Sequence, residues 1–295
     1  MTPSSFARLV LLAAISGATF LFMRLSVSPF GPSRMIFGRL LLGALFLWLM
    51  AVLWGRRLEL ARYWRHYLIL GLINALLPFL LTGYAVQMLS ASLLSVLNAT
   101  SPMWAALLGA CWRRQRPPLK VLAGLLLGLA GVAVLAGVET LSLPAGGGLA
   151  LTAGLLAALS FGLASVYTAH GPSPQPHANA LGTLAAGSLL LAPLVWSAAP
   201  MAATPTAGNW LALLMLGILC SGIAYLMYFR LVAEIGPAAT LTGTFLIPVF
   251  ATLWGVLFLQ ESVGWHTLAG ALLVLSGTAM VTGFSLRALQ FKSAS

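Results

Sequence analysis

Charge is scarce in this chain of 295 residues. Only 6% of them are charged, and the acids are four glutamates, Glu59, Glu139, Glu234 and Glu261, with no aspartate. A soluble domain carries roughly 25% charged residues, so this chain has too few to cover itself with a solvated surface. With 60% hydrophobic residues and a mean hydropathy of +1.01 it reads as an all-α integral membrane protein. The four acids fall at the ends of apolar segments or between them, which leaves no buried carboxylate to relay ions or protons. The two cysteines, Cys111 and Cys220, lie in apolar stretches and imply no disulfide framework. His66, His170, His177 and His266 sit in loops or at segment edges, and no H-E-x-x-H spacing occurs. The pattern therefore supplies neither a metal site nor an enzyme's acid–base set, and it calls for no cofactor. The net charge of +11 would suggest a nucleic acid in a soluble protein, but here the bases lie in short loops between apolar segments. They report membrane topology instead, with lipid as the partner and no nucleic acid. The first apolar run, Leu9 to Leu25, has no small-x-small cleavage site after it and reads as a mature span.

What the chain has in place of charge is a repeat. Laid against itself with Pro102 on Pro248, it matches without a gap: Gly71 meets Gly217, Ala105 meets Ala251, Gly109 meets Gly255, Gly124 meets Gly270 and Gly131 meets Gly277. Leucines would coincide by chance in so apolar a chain, whereas shared glycines and prolines mark shared backbone geometry and close packing. Leu11–Ser16 likewise resembles Leu155–Ser160. Segments of about 20 apolar residues, the length that crosses a bilayer, fall at 6–24, 34–54, 67–87, 91–111, 119–138, 148–169, 178–198, 209–230, 237–259 and 265–286. The break at Pro144–Gly148 divides them into five and five, giving repeats over 1–142 and 143–295. The short connection between 87 and 91 predicts that the third and fourth spans are antiparallel neighbours. Arg8, Arg56, Arg57, Arg62, Arg65, Arg113, Arg114, Arg116, Lys120, Arg230, Arg287 and Lys292 all fall on one side of such a bundle, and only Arg24 and Arg34 lie on the other. Basic loops stay inside, so the pattern predicts a bacterial-type inner membrane protein with both termini cytoplasmic. Five spans per repeat is odd, so the second repeat must be inserted upside down. The charges agree, because the basic loop Arg113–Arg116 has Leu259–Ser262 as its counterpart, where Glu261 replaces the bases. Ten helices in two inverted five-helix repeats is an architecture of secondary transporters with a site at the midplane.

Four stretches carry a family likeness: Ile15-Ser16-Gly17-Ala18-Thr19-Phe20, Gly38-Arg39-Leu40-Leu41, Pro102 with its small-residue face, and Gln260-Glu261-Ser262 followed by Leu268-Ala269-Gly270-Ala271-Leu272. On these the chain resembles the EamA-type transporters of the drug/metabolite transporter superfamily, over nearly its whole length. Ser16-Gly17 stands where that family often has Trp-Gly, and Gln115 stands opposite Glu261. The resemblance implies export of small metabolites, including amino acids, and within the family it leans toward the aromatic amino acid exporters, although Asn98-Ala99-Thr100-Ser101 lacks the aromatic residues expected before Pro102.

The candidate site follows from the prolines. A proline inside a helix frees the carbonyl four residues earlier, so Pro78, Pro102 and Pro248 would free those of Asn74, Asn98 and Thr244. Bare carbonyls in lipid must face protein or a watered cavity. Asn98 and Thr244 are equivalent in the two repeats, and Asn98, Pro102, Ala105 and Gly109 share a helix face with Thr244, Pro248, Ala251 and Gly255 matching it. These faces either pack, as small residues do, or line a substrate cavity joined by Ser95, Thr240, Ser16, Thr19, Ser160 and Tyr225, with Trp104 among the deeper aromatic residues. Arg39, about five residues inside the second span, is shallow enough to snorkel outward, and otherwise would meet a substrate carboxylate or a lipid phosphate. Trp48, Trp54, Trp64, Trp196 and Trp210 fall near span ends, as interfacial belts do. The expected activity is export of small metabolites, most of all amino acids, by alternating access. The rival is a channel or lipid-handling scaffold that never alternates.

Overall fold

The computed structural model describes residues 3–55, 59–139, 146–172, 174–197, 201, 203–235, 240 and 242–282. The basic residues Arg56, Arg57, Arg287 and Lys292 and the linker residues Pro144 and Ala145 lie outside these. The described chain is helical. Helix α1 runs Pro3–Leu53 and kinks at Gly31, whose φ of 72° and ψ of 161° suit glycine alone. The kink lets 3–30 and 32–53 each run the length of a bilayer. Then come α2 (Trp64–Ala85), α3 (Ala91–Trp112), α4 (Leu119–Glu139), α5 (Gly147–His170), α6 (Pro176–Trp196), α7 (207–235), α8 (Ile247–Leu259, after the 3₁₀ turn Thr242–Leu246) and α9 (Trp265–Thr282). Large apolar side chains point outward along them, among them Leu53, Leu119, Leu126, Leu189 and Leu272, each more than 60% exposed. In water this would be an aggregating surface; in lipid it is the ordinary exterior. Trp48, Trp54, Trp64, Trp196 and Trp210 are exposed too, as the belt reading expects.

The three prolines each stand just after an irregular turn. Pro102 and Pro248 each sit in the first turn of a helical segment, where a missing N–H costs little, while Pro78 lies inside α2 directly after a π turn. Ahead of Pro102, α3 breaks at Ala99–Thr100, and the Asn98 carbonyl accepts a 2.6 Å bond from the Ser101 hydroxyl. Ahead of Pro78, α2 widens into a π turn over Gly71–Leu76. A second π segment, Met215–Ile223, occupies the equivalent place in α7.

The expected pairing of the third and fourth spans fails. α5 lies between α2 and α3 and packs on both. A Cβ on Gly162 of α5 would stand 2.8 Å from the Ala105 nitrogen, and Ser160 Oγ donates to the Ile73 carbonyl at 2.6 Å. Small residues let α5 wedge in, and Arg24 clamps the connection by donating to the Val86 and Leu89 carbonyls at 2.7 and 2.8 Å.

Equivalent helices meet each other. A Cβ on Gly124 of α4 would stand 2.7 Å from the Gly277 oxygen of α9, one on Gly277 2.5 Å from the Gly124 oxygen, and one on Gly131 2.7 Å from the Gly270 oxygen. The contact is self-complementary, as at a two-fold axis. Rising numbers on α4 meet falling numbers on α9, so these two equivalent helices run antiparallel.

Candidate functional site

Arg39 lies inside the bundle. It is 5% exposed, which overturns the snorkelling reading. Two facts explain the inward turn. First, the Phe30 and Trp210 rings meet edge to face at 4.8 Å and mark one end of α1's second half and of α7. Arg39 is nine residues beyond Phe30 and Ser221 eleven beyond Trp210. At 1.5 Å per residue both lie roughly 14–16 Å deep, near the middle of a hydrocarbon core about 30 Å thick. Secondly, α1 and α7 approach closely here. A Cβ on Gly43 would stand 3.1 Å from Ser221 Cβ, and one on Gly217 would stand 3.2 Å from the Arg39 carbonyl oxygen. Gly43 on α1, and Gly217 and Ser221 four apart on α7, admit this contact.

The guanidinium is held on two sides. Its Nε donates to Ser221 Oγ at 3.0 Å, and Ser221 Oγ donates onward to the Leu216 carbonyl at 3.1 Å. The Phe79 ring covers one face, with the guanidinium carbon 3.8 Å from the ring centre, a cation–π contact. Nη1 approaches the Met23 sulfur at 3.7 Å, a weak acceptor. Tyr225 and Cys220 lie within electrostatic reach of the charge. The Asn74 side chain lies within hydrogen-bonding reach of the Tyr225 hydroxyl, and Thr19 within reach of the Cys220 thiol, which donates to the Ile15 carbonyl at 3.3 Å. Phe161 stands edge-on to Phe79 at 5.8 Å. The two π turns contribute Asn74 and Cys220, which are equivalent positions in the repeat. Widened turns of this kind often mark functional sites in helices.

Of the residues expected at a site, the fold thus gathers Thr19, Asn74 and Tyr225 around Arg39. Others are placed elsewhere. Ser160 bonds the Ile73 carbonyl, and Ser95, 1% exposed, donates to the Ser92 carbonyl at 2.6 Å. Asn98 is half-buried at the break in α3, Thr244 half-buried in the 3₁₀ turn, and Thr240 buried. Ser16 is half-buried beside Gly17, where a Cβ would stand 2.8 Å from the Ala251 nitrogen. The Ala105 and Ala251 faces therefore pack, against α5 and α1. Trp104 lines a small void with Thr100, Met103, Leu125, Leu129 and Leu155, and its Nε1 has no acceptor among the described residues. Trp254 donates to the Ala14 carbonyl at 3.0 Å. Sequence reasoning missed Met23, Phe79, Cys220 and Ser221. The signal was Arg39 itself, an arginine well inside a span with no acid near it in the sequence.

Among the described residues Glu234 lies at a helix end, and Glu59 and Glu261 lie in connections between helices. Glu234 bonds Arg230 at 3.0 Å and Arg8 at 2.5 Å; Arg230 above all, then Arg8 and Ser5, hold its carboxyl below the usual carboxylate range. Glu59 pairs with Arg62 at 3.5 Å. Glu261 accepts from the Ala91 and Ser92 nitrogens at 2.7 and 3.3 Å and from Ser92 Oγ at 2.9 Å. A basic hollow of about 320 Å³ opens at one end, lined by Arg62, Tyr63, Trp64, Arg65, His66 and Pro172.

Known proteins share this chain's sequence and shape. The EamA-like transporter family profile matches twice, over residues 6–137 and 148–283. The uncharacterized transporter YoaV of Bacillus subtilis is 25% identical over 91% of this chain and 93% of its own. The uncharacterized inner membrane transporter YedA of Escherichia coli K12 is 26% identical over 85% of this chain and 81% of its own. A protein of known crystal structure, 22% identical, superposes with a TM-score of 0.62 over 99% of this chain and all of that one, a likeness of fold alone.

Proposed function

The chain belongs to the EamA-like transporter family and is a multi-pass membrane transporter, not an enzyme, and from that premise we propose that it exports small metabolites, amino acids first among them, by alternating access. The observation that carries this reading is the polar cluster about Arg39. It sits at mid-depth, holds the buried arginine, and is built from both halves of the chain: Thr19, Arg39 and Asn74 from the first, Cys220, Ser221 and Tyr225 from the second. Two halves that each hold part of one site turn an inward-facing cavity outward when they exchange conformations. The architecture we propose is ten spans, counting α1 as two, in inverted repeats over 1–142 and 143–295. The antiparallel packing of α4 on α9 supports the inversion. Location in the inner membrane with both termini cytoplasmic follows from the distribution of bases, and specificity close to that of the aromatic amino acid exporters follows from resemblance. Asn98, Thr244, Ser95, Thr240, Ser16, Ser160 and Trp104 would then line the path to and from the Arg39 cluster.

The test is efflux and counterflow from proteoliposomes holding the purified full-length protein, with labelled amino acids, nucleosides and polyamines, with and without a pH gradient. A carrier accelerates uptake of label when unlabelled substrate is trapped inside. Saturable flux without such acceleration points to a channel, and no flux of any compound removes the transport reading.

A further inference from the structure

We propose that Arg39 anchors a carboxylate, and that the substrates of this protein are small monocarboxylates recognised by that group and not by an ammonium. This rests on the transport reading and narrows it.

A guanidinium carries five N–H donors and never loses its charge in a protein. Among the described residues Arg39 gives one donor to an oxygen, Ser221 Oγ, and turns another toward a thioether sulfur. The remaining donors of Nη1 and Nη2 have no oxygen acceptor there. Among the described residues the charge has no counter-ion either. Glu59, Glu234 and Glu261 are committed to Arg62, to Arg8 and Arg230, and to the start of α3. A charge at this depth without a partner is costly, and residues in that position mark ligand sites in membrane proteins. With Phe79 over one face and Ser221 at Nε, the edge left to a ligand carries the two terminal nitrogens, the edge that takes a carboxylate in bidentate fashion.

The surroundings set the class. Thr19, Asn74, Cys220, Ser221 and Tyr225 are neutral hydrogen-bonding groups, so an ammonium would lie near the Arg39 charge with no carboxylate to offset it. An amino group on the substrate therefore adds no affinity. The stretch of α6 corresponding to the Arg39 region, 181–191, contains no charge, so among the described residues the site has one cation and pairs one carboxylate. Phe79, Phe161 and Met23 supply apolar walls for the rest of the molecule. A lipid phosphate is a poor occupant, because Arg39 lies roughly 14 Å below the Phe30–Trp210 level, beyond the reach of a headgroup.

The experiment uses matched trios of amino acid, des-amino acid and decarboxylated amine with aromatic, branched aliphatic and small bodies. For the aromatic body these are phenylalanine, 3-phenylpropanoate and 2-phenylethylamine. Binding is read by thermal shift of the full-length protein in detergent, and transport by competition in the counterflow assay. We expect the acid with and without its amino group to bind within about threefold of each other in at least one trio, and the amine at least about tenfold more weakly, the loss of a charge-assisted hydrogen-bonded pair. Arg39→Gln, folded by circular dichroism and monodisperse, should lose the acids by the same factor, and Arg39→Lys should recover part. The comparison of ligands on the wild-type protein stands even if the variants fail to fold. Amines binding as well as acids, acids binding unchanged to folded Arg39→Gln, or no carboxylate binding in any trio would each overturn the proposal. Carrier-type flux of neutral or cationic compounds alone would sink this inference and leave the transport reading standing, whereas absence of all flux would sink the latter.

Discussion

A Cβ on Gly217 would stand 2.5 Å from Leu42 Cβ, closer than packed atoms come, and that neighbour is the root of a side chain and cannot swing aside. Gly217 is thus where α7 is let in against α1, and the Arg39–Ser221 bond depends on it. Gly217→Ala should push the helices apart and cost about 1–3 kcal/mol, the usual range for overpacking. Gly109→Ala is the control. Its nearest neighbour would be 3.8 Å away, and alanine's better helix propensity favours it by up to about 1 kcal/mol. Thermal unfolding midpoints in one detergent check the pair: a clear fall for Gly217→Ala, none for Gly109→Ala. Equal midpoints would show that the close approach is not holding the site together. At this scale the sequence revealed that Gly217 and Gly71 are equivalent and small, but not what Gly217 makes room for. Arg39 was legible as an unusual charge, and its direction was not. Depth counted from Arg34 is shallow, while the helix actually runs back to Pro32 and the ring pair lies at Phe30. What turns Arg39 inward is a partner 182 positions away in the chain, and no local pattern reports it.

The start of α3 is capped from the other half of the protein. Ser90 Oγ accepts from the Leu93 nitrogen at 3.1 Å, while Glu261 takes the Ala91 and Ser92 nitrogens, three of the donors that a helix start leaves open. A carboxylate is favoured there by the helix dipole as well. Glu261→Ala should lower stability by about 1–2 kcal/mol, the upper range for loss of a cap, and Glu261→Gln by less, since an amide oxygen still accepts. Chemical denaturation of the detergent-solubilised protein, followed by circular dichroism, measures both; an unchanged midpoint for Glu261→Ala would mean that water caps the helix as well. Helices as elements were easy to read, because apolar runs of bilayer length have few alternatives. Their interruptions were harder. Pro78, Pro102 and Pro248 were visible, but a proline inside a helix and a proline starting one look alike when the run is apolar on both sides. The break at Ala99–Thr100 rests on Thr100 and Ser101 bonding the Leu97 and Asn98 carbonyls at 2.7 and 2.6 Å, local bonds that serine and threonine offer without committing to them. The neighbours of α2 are hidden for a different reason. A short connection brings helix ends together, but only α5, with Gly162 and Ser160 on its face, decides whether the helices touch along their length.

For the whole molecule, two expectations follow from where charge lies. The first concerns coupling. The described ends of the bundle hold Glu59, Glu234 and Glu261, each already bonded, and the interior cluster holds Arg39 with neutral groups. A sodium site wants carboxylate or carbonyl oxygens, and a cation beside Arg39 would be repelled. Substrate binding should therefore be unchanged when sodium is replaced by choline at constant pH; abolished binding under that exchange would contradict the charge argument. The second concerns orientation, and here sequence and structure bear on each other. The repeat was legible from matched glycines, and those glycines turn out to be the contact: Gly124 on Gly277 and Gly131 on Gly270. Since α4 and α9 run antiparallel there, their first residues, Leu119 and Trp265, lie at opposite ends of the contact. Just before Leu119 stand Arg113, Arg114 and Arg116; just before Trp265 stand Glu261 and no base. Basic segments are retained in the cytoplasm, so the α4 start should be inside and the α9 start outside. A topology reporter inserted at Gln115 should then report cytoplasm, as should one fused after Ser295, while one inserted at Ala145 should report the outside. A periplasmic signal at Gln115 would break the link between charge and inversion, and with it the placement of the two repeats.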